Sequence, residues 1–107
     1  MGYKRKFTRL PLMCQGHLNR ADEFIPCQVV DLSEKGVLLR TGTPLTIGEE
    51  LSFDFVLGPS RRIQCTVKVV RMAKSDFGAQ IVKIAPEDQQ YLTEHLDDFL
   101  ANNFGRY

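Results

Sequence analysis

The feature that most constrains the fold is the alternation of apolar and polar residues, with a period of two, between residues 10 and 84. Successive side chains of a β-strand point to opposite faces, so this period is typical of strands with one buried face. The clearest example lies in residues 51–57 and 63–69, where apolar residues occupy every second position on both sides of a Gly-Pro-Ser turn. These two segments therefore predict a long β-hairpin.

The same period predicts four further strands, which gives six short antiparallel strands in all. A tight hairpin connects the second and third strands, and Gly36 can adopt a positive φ there. We expect a loop over residues 44–49 and a turn over residues 73–76. Phe53, Phe55 and Phe77 are expected to be core aromatics. The four further strands are expected in segments 10–18, 24–32, 37–41 and 77–84.

The period changes after Ala85, where a helix is predicted over residues 86–102. Pro86 suits a first helical position, and the two acidic residues that follow it suit the positive end of the helix dipole. One face of this helix is apolar and carries Leu92, Leu96, Phe99 and Leu100. An open six-stranded sheet would leave its edges and one apolar face in water. We therefore predict an all-β fold with a C-terminal helix, in which the strands close into a barrel over residues 10–84.

Composition limits the classes of protein to which the chain can belong. Its 107 residues with 43% apolar side chains suffice for one core, so residues 1–107 are expected to form a single domain. The 14 basic residues nearly balance the 13 acidic ones, and a net charge of +1 gives no broad field for gripping a nucleic acid polymer. Any site for an anion must therefore be local.

Cysteine spacing and hydropathy indicate where the chain resides. Cys14, Cys27 and Cys65 are widely spaced, without a CxxC pair, so they predict reduced core thiols and neither a disulfide framework nor a zinc site. No segment reaches the roughly 18 apolar residues of a membrane span. We expect a cytoplasmic protein without a signal peptide or a membrane span.

Two short motifs stand out from this structural background. Residues 5–9 read RKFTR, two arginines four positions apart, and residues 31–36 read DLSEKG. RxxxR followed by [D/N]xSxxG resembles the signature of PilZ domains, and residues 67–71 and 77–81 resemble the last two strands of that family. The resemblance covers nearly the whole chain. It implies a PilZ-like split barrel of six antiparallel strands followed by a helix, in agreement with the periodicity.

The resemblance implies that the ligand is cyclic di-GMP, a dianion with two guanines, and that the protein is a receptor and not an enzyme. Arginine can donate two hydrogen bonds to a phosphate or to the O6/N7 edge of guanine, and its flat face can stack on a base. The resemblance assigns these roles to Arg5 and Arg9. It lets Asp31 accept from guanine N1–H and N2–H and lets the Ser33 hydroxyl serve either partner, while Gly36 shapes the turn.

Lys4 is a departure from many family members, which carry arginine at that position. The residue there is associated in the family with binding of one ligand or a stacked pair, so the stoichiometry stays open. Residues 1–9 contain few apolar side chains and three consecutive cations, which predicts a flexible arm in the free protein. We expect the ligand to order this arm and thereby to signal to an unidentified protein partner in motility, biofilm formation or secretion.

Three alternatives belong to other classes. A small β-barrel could bind RNA or single-stranded DNA through its basic arm, but the strand faces carry mixed charge. A PilZ-like adaptor without ligand binding is disfavoured by the intact motifs. An enzyme is disfavoured because no nucleophile with its base, metal set or phosphate loop is found, and His17 and His95 have no partner at a catalytic spacing. Arg61 and Arg62 are expected to be a solvated hairpin tip.

Overall fold

The computed structural model describes the backbone of residues 10–57 and 61–103, and the side chains of residues 14–57 and 61–97. In these ranges six strands precede one helix: β1 (Leu10–Arg20), β2 (Glu23–Leu32), β3 (Gly36–Arg40), β4 (Glu50–Leu57), β5 (Arg61–Ala73), β6 (Asp76–Ile84) and α1 (Pro86–Asn103). The strands close into a barrel in the order β1-β2-β3-β6-β5-β4, and every neighbouring pair is antiparallel. The predicted six-stranded antiparallel barrel with a C-terminal helix is confirmed.

The barrel interior is filled by the side chains that the period of two selects. Phe53 and Phe55 are buried and stack with their ring centroids 4.9 Å apart, and Phe77 is also buried. These three positions confirm the predicted core aromatics. Cys27 and Cys65 are buried in the same core.

Strand β5 is longer than its alternation predicts, because a bulge interrupts the alternation. Val69 lies opposite Ala79 and Arg71 lies opposite Gly78, so Val70 is the extra residue on β5. Val70 and Arg71 are both exposed, although alternation from Val69 would turn Arg71 inward. The bulge therefore moves the side chain of Arg71 to the outside of the barrel.

Closure of the barrel between β1 and β4 depends on Gly16. This residue lies opposite Phe55, and a Cβ at position 16 would be 2.8 Å from the Asp54 carbonyl oxygen and 3.0 Å from the Phe55 Cβ. No side chain fits that space without movement of β4. The missing side chain thus permits the close approach of the first and fourth strands.

Helix α1 packs on the barrel through its apolar face, where Leu92 and Leu96 are buried. Arg61 holds the start of the helix, since it donates to the Asp88 carboxylate at 3.0 Å and lies 4.9 Å from the centre of the Tyr91 ring. Arg61 therefore does more than the solvated tip residue that the sequence suggested. No helix in the described ranges is long and apolar enough to cross a membrane.

Candidate ligand-binding site

The turn between β2 and β3 is held by its own serine. The Ser33 backbone N–H donates to the Gly36 carbonyl at 2.9 Å, the Gly36 N–H donates to Ser33 Oγ at 3.1 Å, and Ser33 Oγ donates to the Gly36 carbonyl at 3.2 Å. The Ser33 residue is only 2% exposed. The hydroxyl thus lies inside the turn and closes it, which is the capping role open to serine in tight turns.

Gly36 does not adopt the positive φ that the sequence suggested, so that expectation is wrong. Gly36 is the first residue of β3, it lies opposite Gln80, and its φ falls outside the left-handed region. A Cβ there would be 3.1 Å from the Ala79 carbonyl oxygen. Glycine is needed because β6 passes close to the turn, and the Ile81 N–H also ties β6 to the Lys35 carbonyl at 2.9 Å.

Asp31 lies two residues before Ser33 on β2, where it is half-buried. A register shift of β2 against β3 between Val29 and Asp31 precedes it. The structure brings Asp31, Ser33 and Gly36 together at one end of the barrel. Lys4, Arg5 and Arg9 lie outside the described residues.

Strand β1 begins beside this turn. Its first residue, Leu10, lies opposite Leu32, which directly precedes Ser33. The described part of the chain therefore starts at the same end of the barrel that carries the second motif.

An open cleft of about 360 Å³ adjoins the turn on the outer surface of β3, β6 and β5. Its lining includes Ser33, Lys35 and Gly36 from the turn, and Val70, Arg71 and Gly78 from the barrel wall. Sequence reasoning did not assign Arg71 or Gly78 to a site. The sequence did carry a signal for Arg71, because alternation from Val67 and Val69 would bury an arginine at position 71.

A second polar cluster lies elsewhere on the barrel, between β1, β4 and β5. The buried Asp54 carboxylate lies 3.1 Å from His17 Nε2 and accepts from Arg62 at 3.1 Å. The register places His17 opposite Asp54, a partner that their separation in sequence concealed. Over the described residues no group of three or more His, Cys, Asp and Glu side chains could hold a metal ion.

Comparisons with known proteins agree with this architecture. A scan of protein families matches residues 3–98 to the PilZ domain. A search of curated proteins by sequence finds no match.

Three solved structures illustrate the similarity of fold. The inhibitor of motility MotI/DgrA from Bacillus subtilis has a TM-score of 0.80 and 21% identity, over 94% of this chain and 53% of that one. The PilZ domain of YcgR from Escherichia coli, solved with c-di-GMP, has a TM-score of 0.70 and 14% identity, over 98% and 100%. MrkH of K. pneumonia, solved as a c-di-GMP complex, has a TM-score of 0.76 and 19% identity, over 98% and 56%.

This chain spans about half the length of MotI/DgrA and MrkH. Sequence identities of 14%, 19% and 21% show a shared fold and no more. The family assignment depends instead on the match over residues 3–98, which includes both RxxxR and DxSxxG. The chain belongs to the PilZ domain family.

Proposed function

We propose that this protein is a non-enzymatic receptor for cyclic di-GMP and that the ligand lies between Arg5, Arg9 and the turn at residues 33–36. The observation that carries the proposal is the register of β1 on β2, which places Leu10 opposite Leu32. Arg9 directly precedes Leu10 in the chain, and consecutive Cα atoms are about 3.8 Å apart. Arg5 is tethered four residues further away, within about 14 Å of extended chain. Both arginines are therefore in reach of the turn.

The chemistry of the two motifs suits a cyclic dinucleotide. The guanidinium groups of Arg5 and Arg9 can each pair with a phosphate or with the O6/N7 edge of guanine. Asp31 supplies a carboxylate for the N1–H and N2–H donors of a guanine. The c-di-GMP complexes of YcgR and MrkH, which share this fold, support the choice of ligand.

The proposal includes a switch in the N-terminal segment. Lys4, Arg5 and Lys6 repel one another in the free protein, and a bound dianion relieves that repulsion. Its contacts offset the ordering entropy of about 1–2 kcal/mol per fixed residue. Residues 2–9 should therefore gain protection from hydrogen exchange on saturation with ligand, with much smaller changes in α1, and the ordered segment forms the surface that a protein partner binds.

Isothermal titration calorimetry tests the proposal. The wild-type protein should bind cyclic di-GMP with a Kd on the order of 1 µM, about −8 kcal/mol. GTP and a short oligonucleotide serve as ligand controls. The molar ratio at the midpoint of the titration also reports whether one ligand binds or a stacked pair, which bears on Lys4. A lack of heat up to millimolar cyclic di-GMP would exclude the receptor function.

Matched variants test the site. Arg5→Ala, Arg9→Ala and Asp31→Ala should each weaken binding by about 2 kcal/mol, because each loses a charge-assisted contact. Arg62→Ala and Asp22→Ala make the same charge changes away from the turn and should bind as the wild type does. Normal binding by the Arg5 and Arg9 variants would mean that the site lies elsewhere.

A further inference from the structure

Arg71 is an exposed cation in the cleft beside the turn. The bulge at Val70 turns its side chain outward, whereas regular alternation would bury it. Bulges of this kind frequently re-aim a side chain next to a binding site. The side chain of Arg71 makes no hydrogen bond or ion pair within the part of the chain that the structure describes. The bulge therefore presents an arginine whose polar groups are not used by the fold.

Gly78 provides the floor beneath Arg71. A Cβ at position 78 would lie 3.0 Å from Arg71 Cγ, 3.1 Å from Nε and 3.3 Å from Cζ. The guanidinium is thus packed against the strand backbone over a residue that has no side chain. Its other face is turned away from the barrel, and that face can stack on an aromatic ring.

The rest of the cleft suits an anion that carries an aromatic base. Among the described residues its lining holds two cations, Lys35 and Arg71, and no carboxylate, while the exposed side chain of Val70 adds apolar surface. Its volume of about 360 Å³ falls within the range of about 300–1,000 Å³ that is usual for small-molecule sites. Ser33 and Gly36 belong to the same lining, so the cleft is continuous with the turn of the DxSxxG motif.

We propose that Arg71 is a third arginine of the cyclic di-GMP site, located on the barrel wall and not on the N-terminal segment. One guanine of the ligand stacks on the outward face of the Arg71 guanidinium. The N–H groups of that guanidinium donate to the adjacent phosphate. Val70, which is exposed beside Arg71, contacts the same base. This inference rests on the receptor function proposed above.

Calorimetric titration of cyclic di-GMP into three single variants tests the role of Arg71. Arg71→Ala should weaken binding about 10- to 100-fold, as expected for a charge-assisted contact. Arg71→Lys should weaken binding almost as much, because lysine keeps the charge but lacks the planar face. Arg62→Ala, the matched control, removes an arginine from the same strand outside the cleft and should leave Kd unchanged. Thermal denaturation of the free proteins checks that the exposed Arg71 side chain, which has no polar partner among the described residues, is not needed for folding.

A double-mutant cycle with Gly78→Ala tests the geometry. The new Cβ displaces the Arg71 side chain without removing it, so Gly78→Ala should weaken binding at least about fivefold in the wild type and have little effect in Arg71→Ala.

Wild-type affinity in Arg71→Ala or Arg71→Lys, or additive effects in the cycle, would overturn the role of Arg71 while leaving the receptor function intact. Failure of the wild-type protein to bind cyclic di-GMP would overturn both proposals.

Discussion

Replacement of Ser33 by alanine should destabilise the free protein, because its hydroxyl is a structural part of the turn. Ser33 Oγ accepts from the Gly36 N–H at 3.1 Å and donates to the Gly36 carbonyl at 3.2 Å, at a residue that is 2% exposed. A serine that only contacts a ligand would leave the free protein unaffected. The stability of Ser33→Ala thus separates a role in folding from a role in binding alone.

The magnitude follows from which groups lose a partner. The Gly36 carbonyl keeps its bond from the Ser33 backbone N–H at 2.9 Å, so loss of the hydroxyl donor costs little there. The Gly36 N–H loses its acceptor, and Gly36 is only partly exposed to replacement water. A poorly compensated donor costs about 1–3 kcal/mol, so we expect a loss of about 1–2 kcal/mol for the variant.

Urea denaturation followed by circular dichroism measures this loss. In a thermal melt, each 1 kcal/mol of lost stability lowers the Tm by roughly 4–8 °C for a domain of this size. Ser52→Ala is the matched control, since Ser52 is an exposed residue on β4. An unfolding free energy for Ser33→Ala equal to that of Ser52→Ala would refute the reasoning from the turn geometry.

Three further predictions concern the barrel. Gly36→Ala should lower the unfolding free energy by about 1–3 kcal/mol, since its Cβ would press on a β6 carbonyl oxygen at 3.1 Å. Gly16→Ala should cost more in the same urea assay, because its Cβ would be 2.8 Å from backbone oxygen. Burial raises the pKa of Cys27 and Cys65 to about 12, so both thiols stay neutral in the folded state. Thiols in the unfolded chain ionise near pH 8.5, so stability should fall progressively as pH rises from about 8.5 towards 12.

Each of these expectations has its own control. Gly42→Ala places a Cβ where nothing lies within 4 Å, so it should leave stability nearly unchanged. A larger loss for Gly36→Ala than for Gly16→Ala would contradict the steric ranking. For the thiols, Cys27→Ala and Cys65→Ala should each flatten the decline of stability measured between pH 8.5 and 11. An identical decline in both variants would show that other groups cause the alkaline loss.

The strands and the helix could be predicted from the sequence because their signals are local. Apolar residues at every second position between Leu51 and Leu57 are buried, and Pro86 begins the helix at the point where the period changes. The glycine at position 36 was correctly placed in the turn but for the wrong reason. Glycine is required at position 36 because the pairing of β3 with β6 brings the Ala79 carbonyl oxygen close to it. A contact between residues so far apart in sequence leaves no mark on local spacing.

The cleft could not be predicted because three non-local features create it. The pairing of β3 with β6 brings the turn next to Gly78, the pairing of β6 with β5 adds Arg71, and the bulge at Val70 decides which way Arg71 points. Without the bulge, an arginine at position 71 would place a charge among apolar core residues, at a large cost in desolvation. The bulge removes that cost and puts the charge on the outer surface beside Ser33. The bulge at Val70 interrupts the apolar–polar alternation before strand β5 ends. The same bulge therefore adds a cation to the candidate site.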